Sequence, residues 1–395
     1  ENEVAGERAL VLVPDSTRKV DLARLFPLLL QALRKARSVE VMVALGTHPP
    51  MQTGAVRDML GLDEEGFPGQ LAGISDHDWR GVALSELGWV DQERVKQIAG
   101  TTWHPSLGGD FLVRINRKAL EVDRVIILGP TLPHEVAGFS GGGKYLFPGI
   151  SGPEMIDVMH WLGALSGVLA TIGVERTPVR ALIEEATSLL PTAVSLVAVV
   201  TDEEGRTAGV HAGSIAEAWP ASVAQASQLH MKWLVQPARR VISCPMPIYG
   251  ELWTAGKAMY KLEPAVADGG ELVIYAPHLS EVSVTHGKDI FRVGYHPIEY
   301  FLRQWDRFAD EHLAVLAHSS HVKGAGSYDT ATAQEYPRIR VTLATAITEE
   351  QCRQLNLGHA DPGSIDLERE EATGSLVVRN AGEVLYRVAT GQDRL

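Results

Sequence analysis

Cysteine is almost missing from this chain. Cys244 and Cys352 are the two present in 395 residues, too few for a disulfide framework or a four-cysteine metal site, and a reducing, cytoplasmic compartment is the default expectation. Positive charge is in deficit too: 36 Lys and Arg stand against 49 Asp and Glu, a formal net charge of −13. An evenly acidic chain argues against nucleic acid or an anionic membrane as partner, while a local basic pocket for a small anion stays open. No apolar run approaches the ~18 residues of a membrane-crossing helix. The opening ENEVAGERA lacks the basic start and apolar stretch of a signal peptide. A soluble protein is expected, although the first residue is Glu and a removed leader stays open. There is no internal repeat and no low-complexity tract.

What is abundant is short apolar runs. ALVLVP (9–14), VEVMVALG (39–46), VDRVIILG (122–129), SLVAVV (195–200), ARRVISCP (238–245), GELVIYAP (270–277) and LAVLAHS (313–319) all have strand length and read as buried parallel strands. Helical periodicity follows several of them, as in DLARLFPLLLQALRKAR after the first. The expectation is therefore an α/β fold of two domains with largely parallel sheets and an active site in the cleft between them. QPARR marks the boundary, giving an N-terminal cofactor-binding domain at 1–237 and a C-terminal α/β domain at 238–395. The strand-like tail around LVVRNAGEVLYRV is free to return to the first domain.

The most informative segment is PHEVAGFSGGGKYLFPGISGPEMIDVMHWLGAL (133–165). Gly141, Gly142 and Gly143 let a backbone approach a ligand, and Lys144 at the end of that loop can meet an anionic or electrophilic group. Gly138 to Lys144 also matches the G-x-x-x-x-G-K of a phosphate loop, which would make the chain an ATP-dependent kinase or nucleotidase. Tyr145 opposes this, standing where a Ser or Thr should hold Mg²⁺, and Pro148 forbids the helix that should begin there. The helix is expected from Pro153, with His160 two turns in.

Elsewhere, Asp15, Ser16, Thr17 and Arg18 leave the first strand, and Arg18 offers the forked donor that suits a carboxylate or phosphate. Asp15 and Ser16 read equally well as a helix cap. His48 follows a strand and a Gly-Thr turn. Lys257 falls near a helix start, and His318, His321 and Lys323 sit in what reads as a strand-to-loop transition. His77, His104, His278 and His296 show no partner spacing and read as surface or structural residues.

Taken together, DSTR (15–18), GTH (46–48), PHEVAGFSGGGKYLFPGISG (133–152), His160 and the lysine of WTAGK (253–257) resemble the nickel-dependent lactate racemase family, in family order over most of the chain. Fewer residues than usual precede DSTR. That family carries a nickel-pincer nucleotide, pyridinium-3,5-bisthiocarboxylic acid mononucleotide nickel. The resemblance implies that Lys144 tethers this cofactor and that His160 ligates nickel. His48 and His134 would be the paired acid/base residues. Asp15, Thr17, Arg18 and the Gly141–Gly143 loop would hold the cofactor, with Arg18 and Lys257 reaching anionic groups of cofactor or substrate.

The chemistry fits such residues. C2–H of a 2-hydroxy carboxylate is a poor acid, and its loss as hydride is eased by a base that takes the hydroxyl proton. Inversion from either face asks for two bases, which two histidines can supply. Sulfur, carbon and imidazole donors suit square-planar nickel. Trp253-Thr254 stands where family members often have Tyr-Gln, and HWLGAL and the His321–Lys323 loop also depart. The expected substrate is thus a small 2-hydroxy acid, a sugar acid such as gluconate before lactate, met by Arg18, Trp253, Thr254, Lys257, His321 and Lys323. A non-catalytic binding protein would not need both His48 and His134, and a zinc hydrolase would want a closer ligand pair. Oligomeric state is not readable from the sequence.

Overall fold

The computed structural model describes residues 4–62, 69–81 and 83–389. Its strands form two principal sheets, numbered here in chain order. The first contains β1 (Arg8–Val13), β2 (Ser38–Val43), β3 (Leu71–Asp76), β4 (Arg124–Pro130), β5 (Ala193–Thr201) and β6 (Thr207–Gly213), in spatial order β6-β5-β4-β1-β2-β3. All pairings are parallel except β5 with β6 at the edge. Read from β3 this is 3-2-1-4-5-6, the doubly wound order, in which the chain reverses its direction of growth between β1 and β4 and opens a crevice at their carboxyl ends.

Burial on both faces explains the apolar runs. Leu10 and Leu12 of β1 point into the main core, while Val11 and Val13 pack on the opposite side with Phe26, Val39 and Val41. α1 (Leu22–Ala32) covers that second side, capped by the Asp21 side chain and not by Asp15 or Ser16.

The second sheet is parallel throughout. It holds β7 (Ala238–Pro245), β8 (Val266–Ala276), β9 (Arg340–Thr345), β10 (Gly358–His359) and β11 (Leu376–Ala381), in order β10-β9-β8-β7-β11. Between the sheets lies Met231–Leu234, which pairs in parallel with Leu385–Val388 of the tail. The Arg387 guanidinium continues this contact by donating to the carbonyls of Ile172 and Leu169.

One expected strand is a helix. LAVLAHS belongs to α3 (Leu313–Lys323), buried from Ala314 to Val322, and it packs against α2 (Pro153–Ser166). An apolar run buried on every side carries no period, so strand and helix look alike in it. Gly324, with φ +84°, ends the helix.

Candidate functional site

The crevice between β1 and β4 opens into a cleft of about 1070 Å³, mouth included, whose walls come from both halves of the chain. Asp15 and Arg18 leave the end of β1, His48 follows β2, and His134 follows β4 in a two-residue strand paired with Gly138–Phe139. Lys144 lies on the turn Gly142–Tyr145 and His160 on α2, which begins at Pro153. The second half contributes Trp253, Thr254, Lys257 and Tyr260 from two short helices, and His318 and His321 from α3.

Of the residues singled out in the sequence, the cleft thus gathers Asp15, Arg18, His48, His134, Gly141, Lys144, Tyr145, Pro148, His160, Trp253, Thr254, Lys257, His318 and His321. The others sit behind it or away from it. Thr17 donates to the Asp15 carboxylate through its amide and hydroxyl, at 2.9 and 2.6 Å. Lys323 donates to the Asn356 carbonyl at 2.6 Å and stands 3.9 Å from Glu335, outside the cleft lining. His77 and His104 both have hydrogen-bond partners, Ser151 and Asn116 for the first and Ser106 for the second.

The glycine loop owes much of its composition to what lies behind it. Gly142 has φ +57°, and a Cβ there would lie 2.8 Å from the Trp219 ring. Trp219 donates its indole N–H to the Ser140 carbonyl at 2.9 Å, and the Arg180 guanidinium, stacked on that indole at 4.0 Å, donates to the carbonyls of Phe139 and Gly141. Arg180 and Trp219 therefore clamp the loop that carries Lys144. Tyr145 runs back over β4, where a Cβ on Gly129 would meet its hydroxyl at 1.9 Å. With Tyr145 so placed, and only a single 3-10 turn between the loop and the α-helix that begins at Pro153, the loop lacks the α-helix N-terminus that cradles phosphate in nucleotide kinases.

Hydrogen bonds fix which imidazole nitrogen each histidine offers. The Asp15 carboxylate accepts from Nδ1 of His48, which leaves Nε2 of the neutral ring bare. The Ile156 carbonyl accepts from Nδ1 of His160 at 2.6 Å, again leaving Nε2 bare. His134 is the reverse: its Nδ1 accepts the Val136 amide at 3.1 Å, so the neutral ring carries its proton on Nε2.

The electrostatics are those of a crowded cationic cleft. Burial, aided by the charge of Arg18, brings Lys144 and Lys257 down to about 7. Burial also pushes His160 down to about 4, and with the Lys144 and Arg18 charges it holds His134 well below the usual imidazole range. Against its own burial, Asp15 is held far below the carboxylate range by His48, Thr17 and Arg18. Glu135 is the second acid of the cleft. Burial opposes its ionisation, but its own backbone amide and the neighbouring His321, Lys261 and Lys257 outweigh that. Sequence reading passed over Glu135 and Tyr260; a carboxylate inside the apolar run HEVAGF, next to His134, was the available signal for the first.

These features define a doubly wound α/β protein whose switch-point cleft is lined by histidines and lysines. Residues 2–78 and 104–171 match the lactate racemase N-terminal domain. The lactate racemase of Thermoanaerobacterium thermosaccharolyticum is 28% identical over 296 residues, 72% of this chain and 63% of that protein. That of Lactiplantibacillus plantarum is 30% identical over 159 residues, 39% of this chain and 33% of the relative. The matches therefore span less than two thirds of either curated relative. Among solved structures, a Thermotoga maritima protein superposes with a TM-score of 0.88 at 30% identity, covering 97% of this chain and 94% of its own. The lactate racemase apoprotein of T. thermosaccharolyticum shares the fold, with a TM-score of 0.74 at 21% identity over 98% and 88% of the two chains. The chain is thus similar to the lactate racemases in its N-terminal domain and, at lower identity, over much of its length.

Proposed function

We propose that this protein is an isomerase, a racemase or epimerase that inverts C2 of a small 2-hydroxy acid with the help of a nickel-pincer nucleotide. One observation carries the reading: His48 and His134 line a single cleft with Arg18 and Lys257, so a carboxylate can be held while its neighbouring hydroxyl meets an imidazole. The cleft residues fit the cofactor. Lys257 Nζ is buried with no hydrogen-bond partner among the described residues, a cation lacking its anion. His160 offers a bare Nε2 oriented by the Ile156 carbonyl, the arrangement of a metal-ligating imidazole. Among the described residues no three His, Cys, Asp or Glu side chains gather as a metal site, so in this reading nickel arrives in the nucleotide and His160 adds one ligand. Held by Lys144 and His160, that group would supply an acceptor and donor for the C2 hydrogen as hydride.

The chain's own residues do the rest. Lys144, near neutrality in its ionisation, supplies the amine that tethers the cofactor, on the loop that Arg180 and Trp219 hold rigid. Asp15 orients His48 so that Nε2 accepts the hydroxyl proton from one face. His134 meets the oxygen from the other side; with its proton on Nε2 it donates to a forming ketone, and it becomes a base only by giving up the Val136 amide. Trp253, Thr254 and His321 line the second-half wall, and the Trp253-Thr254 pair directs the reading toward hydroxy acids larger than lactate, gluconate among them.

The test is to produce the chain together with the cofactor and measure intact mass, bound nickel and inversion of 2-hydroxy acids. A nucleotide-sized adduct on Lys144 with nickel and C2 inversion is expected. Phosphoryl transfer from ATP without a nickel requirement would overturn the reading.

A further inference from the structure

Two buried histidines of the cleft are left with a bare nitrogen each. His318 and His321 lie one helical turn apart on α3, 7% and 4% exposed. The Trp253 carbonyl is 3.1 Å from Nε2 of His318, and a carbonyl can only accept, so the proton sits on Nε2 and Nδ1 is an acceptor. The Trp253 ring lies flat on His318, with centroids 3.9 Å apart and planes at 10°, and holds the imidazole in that orientation. His321 repeats the pattern. Nε2 is the nitrogen without a partner among the described residues, and since the Gly163 backbone favours the protonated ring, the proton is assigned to Nδ1. His318 Nδ1 is likewise buried and unpartnered among the described residues. Burial brings the two rings down to about 3 and about 4, so both are neutral at physiological pH and neither bare nitrogen becomes a donor there.

A buried acceptor without a donor costs free energy, and two side by side in a ligand cleft are accounted for when the ligand brings the donors. A cation is the other filler for imidazole nitrogens, but no three such ligands converge among the described residues. Neutral O–H groups are donors that a hydroxy acid itself supplies. In a 2-hydroxy acid the C2 hydroxyl is committed to His48 and His134, so the donors lie further along the substrate. We infer that His318 and His321 form a hydroxyl-accepting subsite, and that the substrate is a polyhydroxy acid whose hydroxyls beyond C2 donate to them. This rests on the C2-inverting function proposed above and adds to it the chemistry of the substrate's far end. His318 becomes a specificity-determining residue, and Trp253 a positioning residue that acts through it.

The test compares D-gluconate with 2-hydroxyhexanoate on the cofactor-loaded enzyme. Both have six carbons, a carboxylate and a C2 hydroxyl, and only gluconate carries hydroxyls beyond C2. Wild type should favour gluconate by roughly 100-fold in kcat/KM, about tenfold for each acceptor satisfied. His318→Phe and His321→Phe should each shrink that ratio by about tenfold. His318→Asn, which keeps an acceptor oxygen, should restore part of it. If the phenylalanine variants do not fold, the wild-type ratio alone decides. Equal inversion of the two acids would overturn the acceptor subsite and leave the C2-inverting reading standing. If no 2-hydroxy acid is inverted, the functional reading falls and takes this inference with it.

Discussion

The Asp15 carboxylate accepts a hydrogen bond from Nδ1 of His48, across 33 residues of sequence. Because the Val136 amide donates to Nδ1 of His134 instead, His48 and His134 rest in opposite tautomers. His48→Ala and His134→Ala should each lower turnover by at least ~100-fold, the lower end for general acid–base catalysis. Asp15→Asn separates orientation from chemistry. The amide can donate where the carboxylate accepted, which favours the tautomer with the proton on Nε2 and removes the base. Turnover should fall while nickel content and melting temperature hold. A variant as fast as the parent would show that His48 does not need Asp15.

Cofactor loading and metal retention should separate cleanly. Lys144→Ala should carry no covalent adduct by intact mass yet stay folded, since Lys144 serves the cleft and not the core. His160→Ala should keep the adduct and lose nickel on gentle dialysis, because the Nε2 freed by the Ile156 carbonyl is gone. Nickel stoichiometry unchanged in that variant would remove His160 from the coordination sphere.

Lys257 gives the cleft a pH signature. Its ammonium is brought from the ordinary lysine range to about 7 by burial, with Arg18 adding to the effect. In the cofactor-free protein a bound anion favours the charged form, so anion binding takes up a proton above pH 7, and affinity weakens by up to about tenfold per pH unit. Below that it levels off. The same shift acts on folding with the opposite sense. Between about pH 7 and 10 the unfolded chain holds the proton that the folded chain has released, so this group's contribution to stability rises with pH. Sulfate binding by calorimetry from pH 6 to 9 checks the first claim. Lys257→Met should flatten the profile, and an affinity independent of pH in the parent would refute it.

Four strands of the first sheet were legible because buried parallel strands write themselves as unbroken apolar runs, whereas the half-exposed edge strands β3 and β6 were passed over; the central segment was legible because Gly, Lys and His fall at strand ends. α3 was not, since burial on all sides erases its period, and so the placement of His318 and His321 on one helical face was hidden. The glycines were read as room for a ligand, whereas the structure gives Gly142 a partner on the far side, the Trp219 ring, in a left-handed conformation. No local pattern announces Trp219 or Arg180, which reach the loop from distant helices. Gly142→Ala therefore tests the clamp. The added methyl meets Trp219 and an unfavourable φ, and should destabilise the protein by about 1–3 kcal/mol in chemical denaturation. A neutral effect would mean the loop yields easily and Lys144 is not rigidly held.

The route of the C2 hydrogen distinguishes the proposed reaction from a racemase in which two bases remove a proton from carbon. Here His48 and His134 exchange protons only with the hydroxyl oxygen, and those protons equilibrate with water. The C2 hydrogen leaves with its electron pair, does not pass through a side-chain nitrogen, and returns to the other face of the keto group. Substrate deuterated at C2 and turned over in ordinary water should thus keep its label in the inverted product. A primary isotope effect should accompany it where transfer limits the rate. Proton and deuterium magnetic resonance of early product decides the matter. Extensive loss of deuterium to solvent before equilibrium would mean deprotonation at carbon, and it would reassign His48 and His134 from hydroxyl bases to carbon bases.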